Sequence, residues 1–229
     1  MSLNGKGAVA IWHDIEPQGR DAFYAWHGEE HMPERVGIPG FTRGRRYIAV
    51  DADLEFFNLY EARSPDVVRG PDYQDRLNNP TLWTVSTVKH FRHVSRSICR
   101  VAATFGRGQG GLVATWRYDV PDEKSQDHIA GLTARELPEL AGNSLVAGVH
   151  LLVADADASA VDTVERQARA EKNRIPRWIL MAEGWGDCAD FAALCRSALS
   201  DAILARAGAC GPAEFGLYQL QVSLAASDE

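Results

Sequence analysis

The sequence predicts an α+β protein made of two consecutive βαββαβ units whose antiparallel sheets pack face to face as a barrel-like core. Strand-like and helix-like patterns follow the same order in both halves of the chain. A stretch with four glycines, residues 106–111, separates the halves and is typical of a linker. Each sheet carries helices on one face only, so its bare face needs a partner, which the other unit supplies.

The first unit spans residues 1–106. Short apolar and β-branched runs predict strands at residues 8–15, 41–50, 54–62 and 94–104. Apolar side chains recur at helical spacing from residue 18 to about residue 35. A second helix is expected from residue 65 to about residue 77, because Ser64-Pro65-Asp66 is a typical helix start.

The second unit spans residues 107–229. We expect strands at residues 111–120, 145–154, 177–185 and 214–224, and helices at 123–140 and 190–207. A charged segment near residues 158–175 has no counterpart in the first unit and predicts an inserted surface helix.

An internal repeat supports this division. Val9-Ala10-Ile11-Trp12 aligns with Val113-Ala114-Thr115-Trp116, Met32-Pro33-Glu34 aligns with Leu137-Pro138-Glu139, and Gly37 aligns with Gly142. The spacing between helix and strand is kept without a gap through the best part, which indicates a duplicated unit.

Composition narrows the class of partner. The formal net charge is -7 over 229 residues, which disfavours nucleic acid and anionic membranes as partners. No apolar run is long enough to span a bilayer and the start of the chain lacks a signal pattern, so we expect a cytoplasmic protein. Four cysteines without a C-x-x-C spacing predict reduced, structural thiols.

Several motifs of the first half carry a resemblance. They are Trp12, Phe23-x-x-Trp26, Glu30-His31-Met32-Pro33-Glu34-Arg35, Pro39-Gly40-Phe41, Arg46-Tyr47, Tyr60-Glu61, and Asn79-Pro80-Thr81 with Trp83. This set resembles the dimeric α/β-barrel superfamily with ferredoxin-like halves, and is most similar to its EthD-like and stress-responsive branches. The second half resembles the superfamily in topology only.

The resemblance implies a pseudo-dimeric barrel within one chain and allows a further homodimer. It also implies a cleft for a small hydrophobic or aromatic metabolite. Members of the superfamily include cofactor-free monooxygenases, lactone isomerases, polyketide cyclases and haem enzymes. We therefore expect a cofactor-free monooxygenase, cyclase or isomerase. The alternative is a non-catalytic ligand-binding or stress-related protein, and a haem protein is a third hypothesis.

His31 is the candidate catalytic residue. In several of the enzymes a helix histidine faces the cleft, and His31 holds that motif position, whereas its repeat counterpart is Glu136. An imidazole can take a proton from an acidic C–H or a phenol near neutral pH. The alternative is a histidine that only pins the helix to the sheet through hydrogen bonds.

Other side chains could complete the site. Tyr47 and Tyr60 could direct hydroxyls at an enolate oxygen, and Arg45 or Arg46 could supply charge. Strand alternation sends Arg45 and Tyr47 to one face and Arg46 to the other, so they cannot all serve one site. The predicted pocket is lined by Trp12, Trp26, His27, Arg45, Arg46 and Trp83, and hydrophobic core is the alternative for its aromatics.

Metal and cofactor motifs are weak. His27-Gly28-Glu29-Glu30-His31 matches the H-x-x-E-H pattern of some zinc proteases, but a glycine inside the motif weakens the helix and no third ligand is evident. His90, His93 and His150 are the candidates for a haem ligand, with ordinary surface or strand histidines as the alternative. No phosphate-binding or dinucleotide motif is present, so we expect neither a metal nor a cofactor.

Overall fold

Eight antiparallel strands form one closed barrel in the computed structural model, which describes residues 3–169 and 171–227. The strands are β1 (Gly7–Ile15), β2 (Phe41–Asp51), β3 (Phe56–Ala62), β4 (Phe91–Gly106), β5 (Leu112–Asp119), β6 (Val146–Ala154), β7 (Trp178–Gly184) and β8 (Cys210–Ala225). They are hydrogen-bonded in the order β1-β3-β2-β8-β5-β7-β6-β4, closing back on β1.

The barrel differs from the predicted pair of facing sheets. Each half contributes four neighbouring strands, but the halves also pair edge to edge, β2 with β8 and β4 with β6. The strands β4 and β8 have 16 residues each, which lets each pair within its own half and across to the other. Pairing at both edges satisfies backbone groups that two stacked sheets would leave exposed.

The helices lie outside the sheet. They are α1 (Arg20–Trp26), α2 (Met32–Val36), α3 (Pro65–Arg69), α4 (Pro71–Asn78), α5 (Leu82–Val88), α6 (Ser125–Ala134), α7 (Glu136–Ala141), α8 (Ala156–Ala160), α9 (Val164–Gln167), α10 (Cys188–Ala198) and α11 (Asp201–Arg206). Short 3-10 turns precede α1 and α6. Among the described residues, no helix has the length and apolar character needed to cross a membrane.

Five helical predictions change in detail. The helices expected at residues 123–140 and 190–207 each divide in two, into α6 and α7 and into α10 and α11. The helix predicted for residues 18–35 is helical almost throughout, but a π-helical turn, His27–His31, joins α1 to α2. The second predicted helix breaks at Gly70 into α3 and α4, because Pro71 begins a new helix there. The inserted segment holds two short helices, α8 and α9, rather than one long helix.

Three apolar clusters fill the molecule. One draws side chains from all eight strands and is therefore the barrel interior; it includes Trp12, Tyr47 and Tyr218. The other two lie between the sheet and the helices, one in each half. Trp12 points into the barrel whereas Trp116 points toward the helices, so that part of the proposed repeat alignment pairs opposite faces of the sheet.

Candidate functional site

The candidate site lies between the first-half helices and the outer face of the first-half strands, a region we call the first-half cleft. A π-helical turn carries His27 and His31 into it, four residues apart on one side of the helix, with ring centroids 5.7 Å apart. Such turns are rare and frequently occur at functional sites. A Cβ atom at Gly28 would meet nothing within 4 Å, so the glycine is not required by close packing.

A small enclosed cavity marks the centre of the cleft. Its volume is about 20 Å³, enough for about one water molecule. The lining residues come from β1, α1, the π-helical turn, β3, β4 and the inserted segment: Ile11, Trp26, His27, His31, Asn58, Tyr60, Phe91, Glu165 and Arg169. The cleft as it stands is therefore closed to an aromatic ligand.

A hydrogen-bond chain fixes the protonation of His27. Arg46 can only donate, and its Nη1 lies 3.2 Å from Nδ1 of His27, so that nitrogen accepts. Neutral His27 then carries its proton on Nε2 and donates it to the Tyr60 hydroxyl oxygen, 3.0 Å away. Burial lowers the pKa of His27 and raises that of Tyr60, so both groups are neutral at pH 7. The hydroxyl proton of Tyr60 is left for another acceptor.

A second chain orients Asn58. His13 donates from Nδ1 to the backbone carbonyl of Asp14, 3.3 Å away, and its Nε2 accepts from the Asn58 side-chain amide at 2.9 Å. Burial lowers the pKa of His13 to about 3, which keeps its ring neutral. The Asn58 Oδ1 atom is buried and has no hydrogen-bond partner among the described residues. Asn58 and Tyr60 both line the cavity, so one wall residue has a free acceptor and another a hydroxyl proton to donate.

His31, like Asn58, has free hydrogen-bonding capacity. Its ring packs on Trp26, with centroids 4.2 Å apart, and lies edge-on to Tyr60 at 6.0 Å. Its buried Nδ1 finds no partner within the described part of the chain. Burial, and then the charges of Arg35 and Arg169, hold the pKa of His31 well below its usual value. At pH 7 this imidazole is therefore neutral, the form that a general base requires, and the same surroundings make it a weaker base than an exposed histidine.

The structure brings some predicted site residues together and separates others. The cavity is lined by four of them, His31, Tyr60, Trp26 and His27. Arg46 does not line it but contacts Nδ1 of His27. The remaining predicted residues, Trp12, Arg45, Tyr47 and Trp83, lie elsewhere.

Three of these four point into the barrel. The Arg45 guanidinium is buried between Glu61 and Glu183, with N–O distances of 2.9 and 2.7 Å. Tyr47 stacks on Phe57 at 5.5 Å, and Trp12 stacks on the same ring. Trp83 is 36% exposed on α5. The sheet therefore separates the Tyr47 hydroxyl from the cleft that holds His31.

Sequence reasoning missed four residues of the cleft. Asn58 lies two residues before Tyr60 and so shares its face of β3, which strand alternation could have revealed. His13 is two residues after Ile11 on the same face of β1. Glu165 and Arg169 come from the inserted segment of the other half, and no local pattern indicates that contact.

The residues of the H-x-x-E-H motif have other partners. Both ring nitrogens of His27 are used by Arg46 and Tyr60, and Glu30 accepts from the hydroxyls of Thr81 and Thr84. Within residues 3–169 and 171–227, no group of three or more histidine, cysteine or acidic side chains is placed to hold a metal ion.

The histidines proposed for haem do not fit that group. His90 and His93 lie outside the cleft and bond Glu16 and Asp14, at 2.9 and 2.8 Å. His150 is fully buried in the barrel, 3.3 Å from Glu183. A roomier groove of about 830 Å³ runs along residues 36–42 and 224–227, but its described lining includes no histidine, cysteine, methionine or tyrosine that could ligate iron.

The fold is shared with known structures. No protein-family model and no curated protein matches the chain. An anthrone oxidase-like protein matches 100% of this chain and 97% of its own length, with a TM-score of 0.66 and 12% identity. A candidate monooxygenase from Fusobacterium nucleatum matches 99% of this chain and 100% of its own, with a TM-score of 0.57 and 10% identity.

A haem-binding protein from Thermus thermophilus is also similar, over 97% of this chain and 93% of its own, with a TM-score of 0.53 and 12% identity. At these identities the likeness concerns the fold alone. The chain has an α+β fold with an eight-stranded antiparallel barrel, like the ferredoxin-like dimeric α/β-barrel proteins. Fold does not fix function, so activity must be argued from the site.

Proposed function

We propose that the first-half cleft binds a small aromatic metabolite and that His31 acts on it as a general base and acid. One observation carries the proposal: His31, whose buried Nδ1 has no partner among the described residues, lines a cavity that Tyr60 and Asn58 also line. Trp26 and Phe91 supply aromatic walls. A base, an oxyanion donor and an acceptor beside flat apolar surfaces suit an aromatic molecule with an acidic C–H or phenol.

The chemistry would begin with proton transfer. His31 takes the proton from carbon or oxygen, and the Tyr60 hydroxyl, whose oxygen accepts from His27, donates to the developing oxyanion. The imidazolium then returns its proton to the product or to an intermediate. Proton transfer alone suffices for an isomerase or a cyclase. A monooxygenase would add molecular oxygen to the deprotonated substrate.

Anthrone is a suitable first substrate, since a protein of the same fold is described as anthrone oxidase-like. In the oxidation to anthraquinone, the CH2 carbon loses two hydrogens and gains one oxygen, and the other oxygen atom of O2 leaves as water. We expect His31→Ala to lower kcat/KM by about 10²- to 10⁴-fold, the usual contribution of a general base. Oxygen uptake and the absorbance of anthraquinone measure the rate.

His128→Ala is the matched control. His128 is the buried histidine of the second-half helix–sheet layer, and its replacement should change stability while leaving turnover intact in the folded protein. Equal turnover in wild type and His31→Ala would contradict the proposed role. Anthrone that binds the wild type without being oxidised would favour the alternative, a non-catalytic ligand-binding or stress-related protein.

The enzyme and the non-catalytic binding protein differ in the expected effect of His31→Ala. In an enzyme the change lowers turnover, whereas in a binding protein it only weakens ligand binding. Membership of the EthD-like branch, origin from tandem copies, homodimer formation and a cytoplasmic location are further parts of this proposal.

A further inference from the structure

Buried positive charge surrounds the first-half cleft. Arg35, Arg46 and Arg96 are at most 8% exposed, and the Arg169 side chain is 6% exposed. Among the described residues around the cavity, Glu165 is the fully buried carboxylate, whereas Glu34 is partly exposed. The cleft is therefore cationic within a protein of net charge -7.

Glu165 reaches the cleft from the other half of the chain. It lies on α9, in the segment inserted between β6 and β7, whereas residues 52–55 alone connect β2 to β3. Its carboxylate accepts hydrogen bonds from Arg35 Nη2 and from Arg169 Nη2, the latter at 2.7 Å. Burial alone would raise the pKa of Glu165, but Arg35, Arg169 and Arg96 bring it below its usual value. A charged carboxylate thus forms part of the cavity wall.

Arg169 has capacity left for an anion. Its buried Nε has no partner among the described residues, although the side chain lines the cavity. Its guanidinium lies 5.8 Å from the ring centroid of Phe91, an aromatic wall of the cavity. An acidic group attached to an aromatic ring in the cleft would therefore be within reach of this arginine.

We propose that the ligand of the cleft is an aromatic anion whose acidic group takes the place of Glu165 on Arg35 and Arg169. This inference rests on the proposed function, since it concerns the ligand of the same site. The cavity holds about one water, so an aromatic ligand must displace part of the wall. A neutral ligand that displaced Glu165 would leave the buried Arg169 guanidinium without a carboxylate and Arg35 with Glu34 alone. A carboxylate on the ligand restores the charge-assisted hydrogen bonds.

The test compares two probes of the same shape, 1-naphthoate and its neutral amide, 1-naphthamide. Isothermal titration calorimetry gives Kd for both with the wild type, Glu165→Gln, Arg169→Gln and Arg166→Gln. Arg166 is the control because it lies on the same segment but bonds the carbonyls of Ala160 and Val161. Circular dichroism confirms that each variant is folded.

The wild type should bind naphthoate at least about tenfold more tightly than naphthamide, the ratio that one charge-assisted hydrogen bond supplies. Glu165→Gln should raise this ratio by a further tenfold or so, because the competing carboxylate is gone. Arg169→Gln should lower the ratio by about tenfold, and Arg166→Gln should leave it unchanged.

Contrary outcomes separate the two proposals. An unchanged ratio in Glu165→Gln, or an equal loss in Arg166→Gln and Arg169→Gln, would mean that Glu165 only anchors the segment, and would overturn the inference. Tight binding of both probes without preference would overturn it while leaving the proposed function standing. If no variant binds either probe, the proposed function fails and this inference fails with it.

Discussion

The two helix–sheet layers of the molecule share an architecture but differ in chemistry. In the second half the buried histidine is His128, and both of its nitrogens have partners: Nδ1 donates to the carbonyl of Ala207 at 3.0 Å and Nε2 meets the Tyr118 hydroxyl at 2.8 Å. In the first half, the described surroundings of His31 Nδ1 and Asn58 Oδ1 offer no partner.

The difference indicates which layer is built for a ligand. Unpaired buried polar groups cost free energy, so a layer that served packing alone would be expected to resemble the second half. The first half instead combines buried neutral histidines, buried arginines and a cavity.

Acidification should lower the free energy of unfolding, and the buried histidines of the first-half layer should contribute more to this loss than His128. Burial lowers the pKa values of His13, His27 and His31 below the value of about 6.5 in the unfolded chain. Below pH 6.5 the unfolded state therefore binds protons that the folded state refuses, and stability falls toward pH 3. His13, whose pKa burial lowers to about 3, contributes about 1.4 kcal/mol per pH unit, or about 2 kcal/mol between pH 7 and pH 5. His27 and His31 add to the loss in the same direction.

Urea denaturation at pH 7, 6 and 5 measures this loss. His31→Gln should make the unfolding free energy depend less steeply on pH, because about one proton fewer is taken up on unfolding. If the variant keeps the wild-type slope, His31 is not held neutral by the fold. His128→Gln tests the second half in the same way, and it should remove no more than one proton.

Two buried tryptophans form a matched pair for separating stability from binding. Trp178 lies in the second-half core and Trp26 lines the first-half cavity, and both are at most 2% exposed. Replacing either with alanine should cost about 3–5 kcal/mol of unfolding free energy. Below its melting temperature, Trp178→Ala should bind 1-naphthoate normally, whereas Trp26→Ala should not. Loss of binding in both variants would contradict a site confined to the first half.

A smaller effect is expected at Arg46, which contacts His27 rather than the cavity. Arg46→Met removes the donor to His27 Nδ1, so the ring no longer has one enforced tautomer and Tyr60 is less strictly oriented. We expect turnover of anthrone to fall by about tenfold or less, the scale of one hydrogen bond. Proton–nitrogen correlation spectra of the histidine rings report the tautomer. Spectra unchanged from the wild type would show that Arg46 does not set it.

Local patterns predicted much of this fold. The eight strands lie within a few residues of the expected ranges, and strand alternation placed Arg45 and Tyr47 opposite Arg46, as the structure shows. What alternation could not tell was which face of β2 meets the helices, because both faces are buried in a closed barrel. The sequence therefore predicts one site for Tyr47 and His31, whereas the sheet separates them.

Contacts between distant parts of the chain could not be predicted from local patterns, because they depend on how the closed barrel arranges the two halves. Arg35 and Glu165 are 130 residues apart and pair only because the barrel brings the inserted segment over the first-half helices. The motif Met32-Pro33-Glu34, by contrast, is local: Gly37 ends α2 through a bond to the Pro33 carbonyl, and Gly142 ends α7 through the same bond to Pro138.

The most direct test is a crystal structure of the protein with 4-bromo-1-naphthoate, whose bromine can be located by anomalous scattering. We expect the ring to lie against Trp26 and Phe91, whose ring centroids are 6.0 Å apart, and beside His31. Its carboxylate should lie on Arg35 and Arg169, with Glu165 displaced. A ligand found in the groove along residues 36–42, or in the helix–sheet layer of the second half, would contradict it.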